Sequence, residues 1–259
     1  MRHPNPGRAT DLLMSTVTSS EVPAGAAELG GVADDLARAA LAMARRYTVA
    51  GATLWCASPC WPFHAHHVAV EFVHPVIMGK RALASLTVPA GADLVTTLRA
   101  SVRPGDMVVA LAPAGDKQVA DVMRRGQAWG VETIWIGHGP RPRAGAADHV
   151  VWLDTDDELA ASEQFVRLYH MLWELTHVCF EHPGLLKQPD QAECDEEVCI
   201  TCSDEGRLAE VVAVEGDEAV VRSADGQERI DISLVDAPAP GDLVLVHAGF
   251  AIQAGEALL

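Results

Sequence analysis

No apolar run in this chain approaches the roughly 20 residues that a membrane-spanning helix needs. Positive charge is also scarce. Lys and Arg number 19 against 36 Asp and Glu, for a formal net charge of -17. Without clustered Lys and Arg a chain neutralises neither a phosphate backbone nor an anionic membrane surface, so nucleic-acid and membrane-surface binders are excluded first. The opening MRHPNPGRATDLLMSTVTSS lacks a sustained apolar core with a small-residue cleavage site, so it does not read as a secretory signal. Residues 1–25 read instead as a disordered leader. The expected compartment is the cytoplasm, where thiols serve as metal ligands or reactive groups more often than as disulfides. There are six cysteines: Cys56, Cys60, Cys179, Cys194, Cys199 and Cys202. Only Cys199 and Cys202 form a CxxC, and Cys194 is the one other thiol nearby in sequence. That argues against a closed four-thiolate site within one chain.

What is present is enough apolar material for a core: 49% of 259 residues, sufficient for one large or two modest domains. Between residues 26 and 185 helical and strand patterns alternate. AAELGGVADDLARAALAMARR has helical apolar spacing, TLWCAS is a short buried strand, and FHAHHVAVEFV reads as a helix. GDMVVALAP follows a Pro-Gly-Asp turn as another strand. DKQVADVMRRGQAWG is an amphipathic helix that ends at a glycine, where a left-handed cap costs least. VETIWIG and DHVVWLD are strands. DDELAASEQFVRLYHMLWELTHVCF is a long helix with acidic residues at its start, favourable to the helix dipole. This order predicts an α/β fold with a parallel sheet covered on both faces, a three-layer domain.

The composition then shifts. EHPGLLKQPDQAECDEEV is polar, acidic and marked by Pro and Gly, which makes residues 186–198 a linker. From 199 to 259 the pattern is all-β: RLAEVVAV, EAVVRS, ERIDISLV and DLVLVHAGF are short strands between turn signals, and Asp225-Gly226 suits a hairpin. A small barrel of OB-like type fits this pattern.

The passage RPGDMVVALAPAGDKQVADVMRRGQAWGVETIWIG, with HHVAVEFV before it and AADHVVWLDTDD after it, resembles the sugar isomerase (SIS) domain. Within that family it is similar to the phosphoheptose isomerase branch. The resemblance implies two loops that cradle a sugar phosphate with backbone N–H groups and hydroxyls. Here the first is Ala57-Ser58-Pro59-Cys60-Trp61-Pro62, in which two prolines remove donors and Trp61 takes space. The second is Ala112-Pro113-Ala114-Gly115-Asp116-Lys117, where the hydroxyls are gone and Asp116 would repel a phosphate. The same resemblance implies a metal, zinc or iron, on His67, Glu71 and His170. The family's glutamine position falls on Ser162, with Glu163 beside it as a substitute ligand. Glu71 and His170 are then also the candidate catalytic residues. The bland alternative is that both histidines are core residues paired with Glu71 or backbone. Isomerase domains of this kind self-associate, so a homodimer or homotetramer is expected.

CITCSDEGRLAEVVAV followed by ISLVDAPAPGDLVLVHAGFAIQ resembles the HypC/HupF family of nickel–iron hydrogenase assembly chaperones. The resemblance implies a small β-barrel that carries an iron centre bearing cyanide and carbon monoxide, the Fe(CN)2CO fragment. The implied partners are a HypD-type maturation protein and the hydrogenase large-subunit precursor. The family's leading cysteine maps to Cys199 and its histidine to His247. A thiolate and an imidazole are suitable contacts for low-spin iron. Cys202 is an addition to the family pattern: a second ligand, a redox partner of Cys199, or a small buried residue. Neighbouring Asp195, Glu196, Glu197, Asp204 and Glu205 favour the protonated thiol, which a bound cation would oppose. In the family the cysteine sits at a free N-terminus, whereas Cys199 has a domain before it.

Three functions are open on this reading. The first is a hydrogenase-maturation carrier whose α/β domain supplies oligomerisation or a partner surface. The second is a metal-dependent, isomerase-like enzyme acting on a small metabolite. The third is a sensor controlled by a sugar-phosphate-like ligand, against which the altered loops weigh most.

Overall fold

The computed structural model of the chain describes residues 31–187 and 206–255. The leader at 1–25, Cys194, Cys199, Cys202 and all but the first two residues of the linker at 186–198 lie outside the described residues.

The first half alternates as its sequence pattern suggests. Helix α1 (Ala33–Thr48) begins with Asp34 and Asp35 and ends with Arg45 and Arg46, charges that match both ends of its dipole. It is followed by β1 (Leu54–Ala57), α2 (Pro62–Val73), β2 (Ser85–Thr87), α3 (Leu94–Ser101), β3 (Met107–Leu111), α4 (Lys117–Trp129), β4 (Glu132–His138), β5 (His149–Leu153) and α5 (Glu158–Glu181). The five strands form one parallel sheet in the order β2-β1-β3-β4-β5. Every residue of β3 is buried. Val108 and Ala110 of that strand join a core with Leu94 and Leu98 of α3 and with Val119, Val122 and Trp129 of α4. Alternation then turns Met107, Val109 and Leu111 to the other face, where α2 and α5 pack. The layers are therefore helix, sheet, helix.

Caps fix the helix ends. Asp93, Asp116 and Asp157 each accept backbone N–H groups at the starts of α3, α4 and α5. Gly130 closes α4 at φ 69, a left-handed cap on the residue named for it in the sequence. Neither β2 nor α3 shows in the sequence pattern. A three-residue strand and an eight-residue helix are too short to show a period.

The second half is a closed barrel, β10-β8-β7-β6-β9, from β6 (Arg207–Glu215), β7 (Glu218–Ser223), β8 (Gly226–Asp231), β9 (Leu243–His247) and β10 (Phe250–Ala254). Its interior is built from Ala209, Val211, Ala219, Val221, Ile230, Val244, Val246 and Ala251. The β7–β8 turn is Ala224-Asp225, with Ser223 paired to Gly226; Gly226, at φ 125, opens β8 rather than sitting in the turn.

The two halves are packed together. Leu243 of β9 lies in the same cluster as Trp129, and Leu208 of β6 rests against it. The Arg222 guanidinium donates to the carbonyls of Arg99, at 2.8 Å, and Val102, at 3.3 Å. Glu210, only 2% exposed, accepts the Trp129 indole N–H at 2.9 Å.

Candidate functional site

Helices α2 and α5 contact each other beside the sheet. On α2, His67 and Glu71 are one turn apart and share a face. On α5, His170 reaches the same point. His67 Nε2 and His170 Nε2 each stand 3.3 Å from Glu71 Oε1. The candidate ligand atoms of the three residues all lie within 4.8 Å of one another, the one such group among the described residues. A tetrahedral zinc with bonds of about 2.0–2.1 Å puts its ligand atoms about 3.3 Å apart, so these separations match the edges of such a site.

The hydrogen bonds around the cluster orient its rings. His170 Nδ1 lies 2.5 Å from the Val166 carbonyl. A carbonyl only accepts, so Nδ1 carries the proton and donates. In the neutral ring, Nε2 is then a bare lone pair pointed at a carboxylate oxygen. A proton shared between the two groups or a metal ion would satisfy that arrangement. His67 Nδ1 is held by the Tyr169 hydroxyl at 2.7 Å. Burial, and then the negative charge of Glu71, push the Tyr169 phenol up to about 12, so it remains protonated. The second carboxylate oxygen, Glu71 Oε2, is buried without a protein partner. A first-row divalent cation fits this donor set: two imidazoles with oriented rings and one carboxylate with a spare oxygen.

Glu163 is exposed and is not part of this group. It neighbours Ser162, and a one-residue step turns a helical side chain by about 100°, so the two face different ways. Ser162 binds the His64 ring instead, with Oγ 2.9 Å from Nε2. Burial, and then the neighbouring His67, hold His64 down at about 4, so the ring stays neutral. Tyr169 carries no signal of this role in the sequence, where it is one aromatic residue in a long helical pattern.

The two loops that the resemblance assigns to a phosphate offer few donors for one. The sheet order reverses between β1 and β3, the place where open α/β sheets bind ligands. A pocket of about 220 Å³ lies there against Ser58, Pro59, Pro62, Pro89, Leu94 and Gln118, and its walls include no Lys or Arg. The Ser58 hydroxyl is used by the Leu111 carbonyl at 3.0 Å. Asp116 caps α4 with its own carboxylate, Oδ1 accepting from Val119 N at 3.0 Å, which puts negative charge where a phosphate would sit. The Trp61 ring packs 5.9 Å from those of both His138 and Phe165. Cys56 is buried, hydrogen-bonded to Ser85, and held up at about 12 by that burial, so its thiol is inert.

On the barrel, His247 ends β9. It pairs directly with Phe250 across a two-residue turn, Ala248-Gly249. Both turn residues have positive φ, 49 and 84, the signature of a type I′ hairpin.

Fold and sites define a two-part protein: an α/β domain with a five-stranded parallel sheet joined to a small closed barrel. Residues 208–256 match the model of the HupF/HypC family. The α/β part is similar in structure to a phosphoheptose isomerase from Francisella tularensis, with a TM-score of 0.52 and 15% identity over 66% of this chain and 98% of that one. It is also similar to phosphoheptose isomerase GmhA from Neisseria gonorrhoeae, at TM-score 0.50 and 15% identity over 66% and 97%. At such identity the likeness establishes the fold alone. No curated protein matches the chain. Among the described residues no helix is long and apolar enough to cross a membrane.

Proposed function

We propose that this chain is a maturation factor for a nickel–iron hydrogenase, carrying the Fe(CN)2CO fragment on its barrel. Cys199 and His247 are its anchors, with Cys202 alongside as a second thiol. Its partners are a HypD-type protein, which supplies the fragment, and the hydrogenase large-subunit precursor, which receives it. The α/β domain serves as the platform, and self-association through it presents several barrels at once.

The HupF/HypC barrel at 208–256, with His247 at the tip of an exposed hairpin, carries this reading. Strand register adds to it. Arg207 pairs with Val246, so Gly206 enters the barrel next to His247. Cys202 precedes Gly206 by four residues and Cys199 by seven. Extended chain spans at most about 3.3–3.6 Å per residue, so Cys199 is tethered within about 25 Å of that entry. A thiolate is a soft ligand suited to low-spin iron, and the nearby imidazole completes a pair of contacts.

The test is anaerobic co-expression with the maturation partners, followed by infrared spectroscopy of the purified chain. The wild type should show cyanide and carbonyl stretches, and Cys199→Ala should lose them. Bands absent from the wild type, or undiminished in the variant, overturn the reading.

A second reading is favoured by the cluster of His67, Glu71 and His170. It makes the α/β domain a metal-dependent enzyme acting on a small metabolite. Zinc or iron held there would polarise a substrate oxygen as a Lewis acid. Glu71 or His170 would move the proton. Metal analysis of the purified chain tests it: no zinc or iron, or no loss of metal in His67→Ala, removes its basis.

A further inference from the structure

Four observations converge on the tip of the β9–β10 hairpin. First, His247 and Phe250 are direct cross-strand partners, and such pairs project their side chains to the same face, about 4.5–5.5 Å apart at Cβ. Their neighbours Val246 and Ala251, paired in turn, are buried in the barrel, so this face is the outer one. Second, Phe250 is 42% exposed although it is one of only five phenylalanines in the chain. It does nothing for the barrel core. Third, the turn behind the pair includes Ala248 at φ 49, a left-handed conformation that disfavours a residue with a Cβ. The hairpin accepts this strain to keep a two-residue turn, which holds His247 and Phe250 side by side. Fourth, Phe250 also pairs with Asp231 of β8, whose N–H donates to Gly249 O at 2.9 Å. Across the outer face the order is thus imidazole, phenyl, carboxylate.

That order matters for the cargo of the proposed function, on which this inference rests. Iron(II) with two cyanides and a carbonyl is neutral, and a thiolate makes it an anion. A carboxylate beside it would repel it. Its carbonyl end is weakly polar and gains from an apolar neighbour.

We propose that Phe250 is the apolar wall of the cargo site. It stands between the fragment at His247 and the Asp231 carboxylate, and it excludes water from the iron-bound carbonyl. It is a positioning and shielding residue and forms no bond to iron.

The experiment loads the wild type, Phe250→Ala, Phe250→Leu and His247→Ala by anaerobic co-expression with the maturation partners. It then records the carbonyl and cyanide stretches and their decay after gel filtration. Thermal midpoints check that each variant folds; an exposed side chain should leave them nearly unchanged. Phe250→Ala should shift the carbonyl stretch and shed the fragment about tenfold faster, the scale set by losing the contact area of one aromatic ring. Phe250→Leu should fall between it and the wild type. His247→Ala should fail to retain the fragment. If Phe250→Ala matches the loaded wild type in both frequency and decay, the inference is overturned while the carrier function stands. If the wild type shows no bands, the carrier function falls, and this inference with it.

Discussion

Arg99 of α3 grips both carboxylate oxygens of Glu210 on β6, its Nε 3.1 Å from each and its terminal nitrogen 2.5 Å from Oε1. Glu210 is 2% exposed, and its remaining neighbours are the Trp129 indole and Arg125, 3.7 Å away. A carboxylate buried this deeply is tolerable only because it is so fully paired. It links the barrel to two helices of the α/β domain.

Breaking the pair should therefore loosen the joint. Glu210→Ala strands two guanidiniums and an indole N–H, and should cost about 3 kcal/mol in urea unfolding. Glu210→Leu combined with Arg99→Met should recover part of that loss, because neither partner is then left alone. If Glu210→Ala unfolds at the wild-type urea concentration, the joint is not held by this pair.

The metal cluster makes a graded prediction. His170→Ala should abolish stoichiometric zinc binding by the whole chain, and Glu163→Ala should not change it. Tyr169→Phe removes only the hydroxyl that orients His67, and should weaken zinc by about 10- to 100-fold, the usual effect of losing an outer partner of a ligating histidine. Competition with a chromogenic chelator measures all three. Equal affinity in Tyr169→Phe would mean that the hydroxyl does not position the ring.

The α/β domain and the barrel were legible from the sequence because their apolar periods are long and clean, as in the fully buried MVVAL of β3. His67, Glu71 and His170 were legible as well, since a one-turn spacing and a family pattern both point to them. Two things were not. Glu163 looked like a ligand because it neighbours Ser162, but adjacent residues on a helix point about 100° apart. The joint between the halves was invisible because Arg99 and Glu210 are 111 residues apart. A single charged residue in a strand pattern carries no sign of its distant partner. Phe250 was quoted within the family stretch, but only the register to His247 and Asp231 gives it a chemical setting.

A second ion pair gives a pH dependence. Glu132 of β4 lies between His149, 3.0 Å from Oε1, and Arg46, whose Nε is 3.0 Å from Oε2. The hydrogen bond from His149 holds its carboxyl below the usual carboxylate range, with Arg46 adding to the effect against burial. With the folded value depressed, the unfolded chain binds the proton more readily. Stability from this group is complete above the ordinary carboxylate value of about 4.3 and is lost as pH falls through the lower folded value. Glu132→Gln should cost about 1 kcal/mol near neutrality, and the gap should close in acid. A gap that persists unchanged at low pH would mean that packing, not charge, sets the difference.

The altered loops make the last prediction. Phosphosugar binding needs donors at the start of α4, and Asp116 fills that position with a carboxylate. The neighbouring pocket offers Ser58 and Gln118 among proline and aliphatic residues, and no Lys or Arg. Neither inorganic phosphate nor a hexose 6-phosphate should raise the thermal midpoint of the wild type. A ligand at ten times its Kd would add about 1.4 kcal/mol, well within reach of such a measurement. Asp116→Ser keeps a capping oxygen and should leave stability nearly unchanged, whereas Asp116→Ala should lose about 1 kcal/mol. A phosphate-dependent rise in the wild type would show that an anion can displace this cap, and would return the α/β domain to the sugar-phosphate binders.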